Sequence, residues 1–102
     1  MGPFIVTKDE IPDPDSLRIS SILNGVVMQV SNTADMIFDV ANLVSDLSRS
    51  LTLLPGTLIL TGTPEGVGFK RNPPVFLKSG DKITIQISSI GELTNYVESE
   101  NV

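Results

Sequence analysis

The residues best suited to recognition lie together in Thr61-Gly62-Thr63-Pro64-Glu65-Gly66-Val67-Gly68. Three glycines and two threonine hydroxyls fall within these eight residues. Glycine removes the side-chain obstruction, so backbone N–H groups and hydroxyls can come close to a ligand. The chemistry this allows is the cradling of a small anion, such as a substrate carboxylate. Thr61 and Thr63 would donate hydroxyls and successive backbone N–H groups would form a nest. No group in the loop can run a reaction by itself. The pattern is not a P-loop, which needs Lys-Ser/Thr after its last glycine where this chain has Phe69-Lys70. It is not a dinucleotide fingerprint either, because the further glycine required at position 71 is Arg71. A wide turn at a sheet edge is the competing reading of the same spacing.

Other candidate groups have simpler explanations. Asp9, Glu10, Asp13 and Asp15 cluster in one loop, but Asp13-Pro14-Asp15-Ser16-Leu17 breaks the EF-hand pattern at once. A solvated charge run accounts for them better. Asp35 and Asp39 are spaced i, i+4 and would share a helix face, as paired carboxylates for acid/base work can. Asp35 is better explained as an acid in a helical first turn. Met28 and Met36 read as core filler. Lys8, Lys70, Lys78 and Lys82 sit among polar residues, with no sign of burial or activation.

Composition narrows the function classes. The net charge is −5, and Lys70-Arg71 is the one adjacent basic pair. This argues against nucleic acid, which needs a basic face, and against an anionic membrane surface. No apolar run reaches the roughly 20 residues that span a bilayer. The first ten residues lack the basic start and apolar core of a signal peptide, so none is expected in them. Cysteine and histidine are absent. That removes disulfides, thiolate nucleophiles, imidazole bases and Cys/His zinc sites. Any metal would need oxygen ligands, hence Mg, Mn or Ca. The lack of disulfides fits a cytoplasmic location.

The 102 residues fit one small domain or a piece of a larger one. Gly2–Thr7 reads as a short apolar strand that starts abruptly, as if something preceded it. Residues 8–15 form a loop. Leu17–Val30 is a hairpin around Asn24-Gly25, the pair preferred in a type I′ turn. Thr33–Ser50 is the one main helix, with Met36, Ile37, Val40, Leu43, Val44 and Leu47 at helical spacing. Asn32 or Thr33 caps it. Leu54-Pro55-Gly56 turns into a strand over Leu58–Thr61, which feeds the glycine-rich loop. Lys82–Ile87 alternates polar and apolar, Gly91 closes it, and Leu93–Val97 returns. The sum is a β-rich α+β fold.

Several segments in order carry a family resemblance: Gly2-Pro3-Phe4-Ile5-Val6-Thr7, Asp9-Glu10-Ile11, Asn24-Gly25, Asn32–Phe38, Leu54-Pro55-Gly56, Thr61–Gly68 and Leu77–Asp81. From Gly2 to about Val97 the chain resembles the C-terminal part of the fumarylacetoacetate hydrolase family. The resemblance implies one unit over residues 1–102, a partial mixed β-roll with one main helix. It also implies Mg- or Mn-dependent hydrolysis, decarboxylation or isomerisation of 2-oxo or 1,3-dicarbonyl acids. By the same resemblance Thr63 lines the substrate pocket, with Gly62 and Thr61 beside it.

The resemblance also implies what this chain does not carry. The family's Glu-x-Glu and Asp metal ligands, its catalytic lysine and its pocket glutamine precede the Gly-Pro-Phe segment. The histidine of the hydrolases is missing, and Glu98-Ser99-Glu100 does not replace the ligand pair. No catalytic residue, metal ligand or bound metal is therefore expected in this chain alone. The expected partners are a small oxo-acid in the complete enzyme and either an N-terminal half or further copies of the chain, since open sheet edges recruit strands. A non-catalytic binding or assembly module derived from the family is the alternative.

Overall fold

The computed structural model describes residues 1–100. Its sheet is built from two hairpins. Strands β1 (Arg18–Leu23) and β2 (Val26–Asn32) form the first, and β3 (Lys82–Ile87) and β4 (Gly91–Tyr96) the second. All pairings are antiparallel, in the order β2-β1-β3-β4. The β-rich α+β expectation holds.

The first hairpin turns where Asn24-Gly25 predicts it. Both residues have positive φ, 49° and 83°, as a type I′ turn requires. Asn24 also does something its local pattern does not announce. Its amide donates to Asp81 Oδ1 at 2.9 Å, and its Oδ1 accepts from the Lys82 backbone N–H at 2.9 Å. The tip of one hairpin is thereby stapled to the root of the other. Asp81 Oδ2 accepts from the Lys78 backbone N–H at 2.9 Å, which closes the preceding turn.

The side chains of β1 and β3 alternate between two faces. Ile19, Leu23, Ile83, Ile85 and Ile87 share one face by register, where Ile19 lies opposite Ile87 and Leu23 opposite Ile83. Ser20, Thr84 and Gln86 share the other. There Thr84 and Thr94 hydroxyls meet at 2.8 Å across β3 and β4. A bulge interrupts the β1–β2 register: Ser21 pairs with Gln29 and Ile22 with Val27, so Met28 faces no residue of β1. Bulges re-aim groups near functional sites.

The predicted helix is shorter than its apolar periodicity. Thr33–Asp35 is a single 3-10 turn, and helix α1 spans Val40–Ser50. Two caps divide the segment. Asn32 and Asp35 form a reciprocal capping box around the 3-10 turn, and Met36 leaves it extended, with ψ 138°. Asp39 then caps α1, its carboxylate accepting from the Asn42 N–H at 2.7 Å. Asp35 and Asp39 thus do not share a helix face, and the paired-carboxylate reading falls. The acidic loop has a structural use: Asp15 Oδ1 accepts from the Val40 N–H at 3.1 Å at the same helix start. Asp39→Ala removes the cap, and we expect a loss of about 1 kcal/mol of stability, read by urea denaturation.

The strands predicted over Gly2–Thr7 and Leu58–Thr61 are not formed. Both runs are apolar, but neither pairs with another strand among the described residues. The same deficit shows in the packing. No hydrophobic side chain among the described residues is buried; Ser21, Asp81 and Thr84 are. Leu60 is 86% exposed and Ile37 92%. The radius of gyration is 15.8 Å, against about 13 Å for a close-packed chain of 100 residues. Sheet and helix are therefore arranged around a core that this chain does not itself fill.

Candidate functional site

A groove of about 700 Å³ runs between the end of the first hairpin and the glycine-rich loop. Thr61, Gly62, Thr63, Pro64 and Glu65 form one wall. Met36, Ile37, Phe38 and Leu43 supply an apolar flank, and Ser31, Asn32, Thr33 and Asp35 a polar one. The three residues named from the sequence are thus together on one surface. Asp35 joins them; Asp39, Asp9, Asp13 and Asp15 do not.

The loop is held from the sheet by Gln29, a residue that sequence reasoning passes over as part of a returning strand. Its Nε2 donates to Thr63 Oγ1 at 2.9 Å and to the Pro64 carbonyl at 2.8 Å. Its Oε1 accepts from the Ser21 hydroxyl at 3.2 Å. Ser21 and Gln29 are register partners, and Ser21 lies opposite Ile85. A polar pair on a largely apolar face needs partners, and the loop supplies them. The one sequence signal was an amide standing between Met28 and Val30, which simple alternation also explains.

The second half of the loop is fixed by close approach. Gly66 has φ 97°, and a Cβ there would lie 2.7 Å from the Met28 carbonyl oxygen. That carbonyl belongs to the bulge residue and accepts from the Arg71 guanidinium. Arg71 Nε also donates to the Gly66 carbonyl at 3.1 Å. Gly68 starts a 3-10 turn over Gly68–Lys70 and touches backbone more closely still, its Cβ position lying 2.1 Å from the Val75 oxygen. At Gly62 the need is different: open space surrounds it, but its φ is 93°.

The charges of the groove are both negative, Asp35 and Glu65. Asp35 Oδ2 accepts from the Ser31 hydroxyl at 2.7 Å and from the Asn32 N–H at 3.0 Å. These bonds, the Ser31 one foremost, hold its carboxyl below the usual range. No lysine or arginine lines the groove. An anion bound there would meet hydroxyl groups and no positively charged side chain of the lining. Among the described residues, no three His, Cys, Asp or Glu side chains converge so as to hold a metal ion. The described residues therefore do not fit a divalent-metal site. Among the described residues, no helix is long and apolar enough to cross a membrane.

Comparison with known proteins agrees with this arrangement. The family described as Fumarylacetoacetate (FAA) hydrolase C-terminal matches residues 1–98. The mitochondrial oxaloacetate tautomerase FAHD2A of Bos taurus is 50% identical over 97 residues, covering 95% of this chain and 31% of that protein. The solved fumarylacetoacetate hydrolase of psychrophilic Exiguobacterium antarcticum superposes with a TM-score of 0.93 at 41% identity, covering 97% of this chain and 35% of its own. The maleylpyruvate hydrolase of Sphingobium sp. SYK-6, solved in complex with manganese(II) ion and pyruvate, gives a TM-score of 0.84 at 39% identity, covering 95% and 34%. The chain thus spans about a third of the length of the relatives it matches. Matched over residues 1–98 and superposing closely on a solved relative, the chain belongs to the fumarylacetoacetate hydrolase family, in its C-terminal domain.

Proposed function

We propose that this chain forms the carboxylate-binding wall of an active site for small 2-oxo or 1,3-dicarbonyl acids. The complete enzyme would hydrolyse, decarboxylate or isomerise them. One observation carries the reading: Thr61, Gly62 and Thr63 line a groove with an apolar flank, and the sheet anchors that wall through Gln29. Small-ligand sites combine such an apolar lining with a few placed polar groups. The names of the relatives, a tautomerase and two hydrolases, support the substrate class.

In this reading residues 1–102 act as one C-terminal unit, inactive alone. Mg or Mn and the proton-transferring groups come from the rest of the enzyme. That remainder also covers the uncovered apolar surface: burying one large aliphatic side chain is worth about 1.5–3 kcal/mol, so many such groups left exposed favour association strongly. Homo-oligomerisation would cover part of the same surface. The absence of cysteine suits a reducing cytoplasm.

The test is Thr63→Val in the complete enzyme. The variant keeps the side-chain shape and removes one hydroxyl. A lost hydrogen bond of about 1 kcal/mol lowers affinity roughly fivefold. We expect that loss for pyruvate, measured by calorimetry, with the melting temperature little changed. Unaltered pyruvate affinity would refute the role of Thr63.

A further inference from the structure

We propose that Gln29 is a positioning residue, which turns the Thr63 hydroxyl into a hydrogen-bond donor toward the groove and so favours a carboxylate over a neutral amide. The inference rests on the reading of the groove as an oxo-acid site.

The Pro64 carbonyl can only accept a hydrogen bond. The Gln29 nitrogen must therefore face it, and this settles which end of the amide is which. The same nitrogen has a second proton, and Thr63 Oγ1 lies 2.9 Å away to accept it. Gln29 Oε1 is then left for the Ser21 hydroxyl at 3.2 Å. Every polar atom of this amide has a partner, and the orientation is over-determined.

For Thr63 the consequence is directional. A hydroxyl has one proton, and it cannot point at the N–H it is accepting from. Among the described residues that proton has no acceptor, while Thr63 itself lines the groove. The chain of donors runs one way: Ser21 to Gln29, Gln29 to Thr63, Thr63 to a ligand. Each bond polarises the next in the same sense, which strengthens the last donor. A carboxylate gains most from such a donor, because a charge-assisted bond is about twice as strong as a neutral one. A neutral amide accepts the same proton only through its C=O, without charge assistance, and so gains about half as much. Gln29 is not part of the groove lining, so it acts through Thr63 and the Pro64 carbonyl.

The experiment measures binding of pyruvate, and of pyruvamide as its neutral isostere, to the complete enzyme. It compares Gln29→Met, Thr63→Val and the double variant. Gln29→Met keeps length and removes the donor. We expect it to weaken pyruvate on the order of fivefold, as the loss of one hydrogen bond does. Pyruvamide affinity should stay within about twofold, and the double variant should bind pyruvate no more than about twofold worse than Thr63→Val, since coupled residues are not additive. Equal losses for both ligands, fully additive losses, or no loss on Gln29→Met would overturn the inference. If Thr63→Val itself leaves pyruvate affinity unchanged, the carboxylate reading of the groove fails as well. A loss with Thr63→Val but none with Gln29→Met defeats the positioning role alone. Should Gln29→Met melt too early for binding work, Ser21→Ala is measured instead. It leaves the Gln29 oxygen without its donor and should weaken pyruvate in the same direction by a smaller factor; unchanged affinity there also overturns the inference.

Discussion

Gly68→Ala is expected to destabilise the protein by about 3 kcal/mol or more, the upper range for forced overpacking. The new methyl would stand 2.1 Å from the Val75 carbonyl oxygen and 3.2 Å from its carbon. Both atoms are backbone, so no rotamer change relieves the contact. Residues 68 and 75 would have to separate. Yet the Gly68 carbonyl accepts from the Arg71 N–H at 3.1 Å and from the Val75 N–H at 2.9 Å. Separation therefore breaks the bond that closes the loop between them. Arg71, which ties the same loop to the bulge at Met28, moves with it. On the proposed function, pyruvate binding by the complete enzyme should fall together with stability, because the groove wall loses its support. Thermal denaturation alongside pyruvate calorimetry checks both. A variant that melts like the parent would show that the two segments part without cost.

Asp81→Ala is expected to give the second large effect, a melting temperature lowered by on the order of 5 °C or more at neutral pH. Asp81 is 4% exposed. Its carboxylate satisfies the Asn24 amide on one oxygen and the Lys78 N–H on the other. Removing it leaves both donors unpaired beside a staple that joins two hairpins. The effect should depend on pH in a definite direction. The Asn24 hydrogen bond, then the Lys78 backbone bond, hold the Asp81 carboxyl below its ordinary value. A depressed folded-state value means the ionised form is favoured on folding. Its contribution is complete above the unfolded-state value of about 3.9 and is lost as pH falls through the lower folded value. Parent and variant should therefore differ fully above about pH 5 and converge in acid. Melting curves from pH 7 down to pH 2.5 test this. A gap that stays constant over that range would rule out the ionised carboxylate as its source.

Two of the three glycines in Thr61–Gly68 illustrate how local and tertiary demands diverge. Gly62 and Gly68 look equivalent in Thr61–Gly68, where spacing alone gives both the role of leaving a ligand room to approach. Gly62 needs its positive φ and has open space around it. Gly68 is required by another piece of backbone, at Val75, seven residues further on. No spacing within the motif separates these cases, because the second depends on where the following loop returns.

The β-rich α+β class, the two hairpins and the Asn24-Gly25 turn were legible because their causes are local. Alternation with period two and the φ preferences of Asn-Gly act between near neighbours. The helix was legible in kind and wrong at its start. Apolar residues at helical spacing run through Met36 and Ile37, but the capping atoms of Asn32, Asp35 and Asp39 decide where hydrogen bonding can begin. The runs at Gly2–Thr7 and Leu58–Thr61 predict strands from apolarity alone. A strand also requires a partner, and none stands beside them among the described residues.

The sequence by itself thus carried the family resemblance and determined the turn chemistry, which is written in residue types at fixed short spacing; the three residues it named, Thr61, Gly62 and Thr63, line one wall of the groove. Only the tertiary structure decided what holds that wall. Gln29 lies 34 residues before Thr63, and Asn24 lies 57 before Asp81. Hydrogen bonds between groups so far apart in the chain depend on sheet register and on one bulge. They form only after the backbone has brought both partners within about 3 Å, and no local pattern encodes that distance.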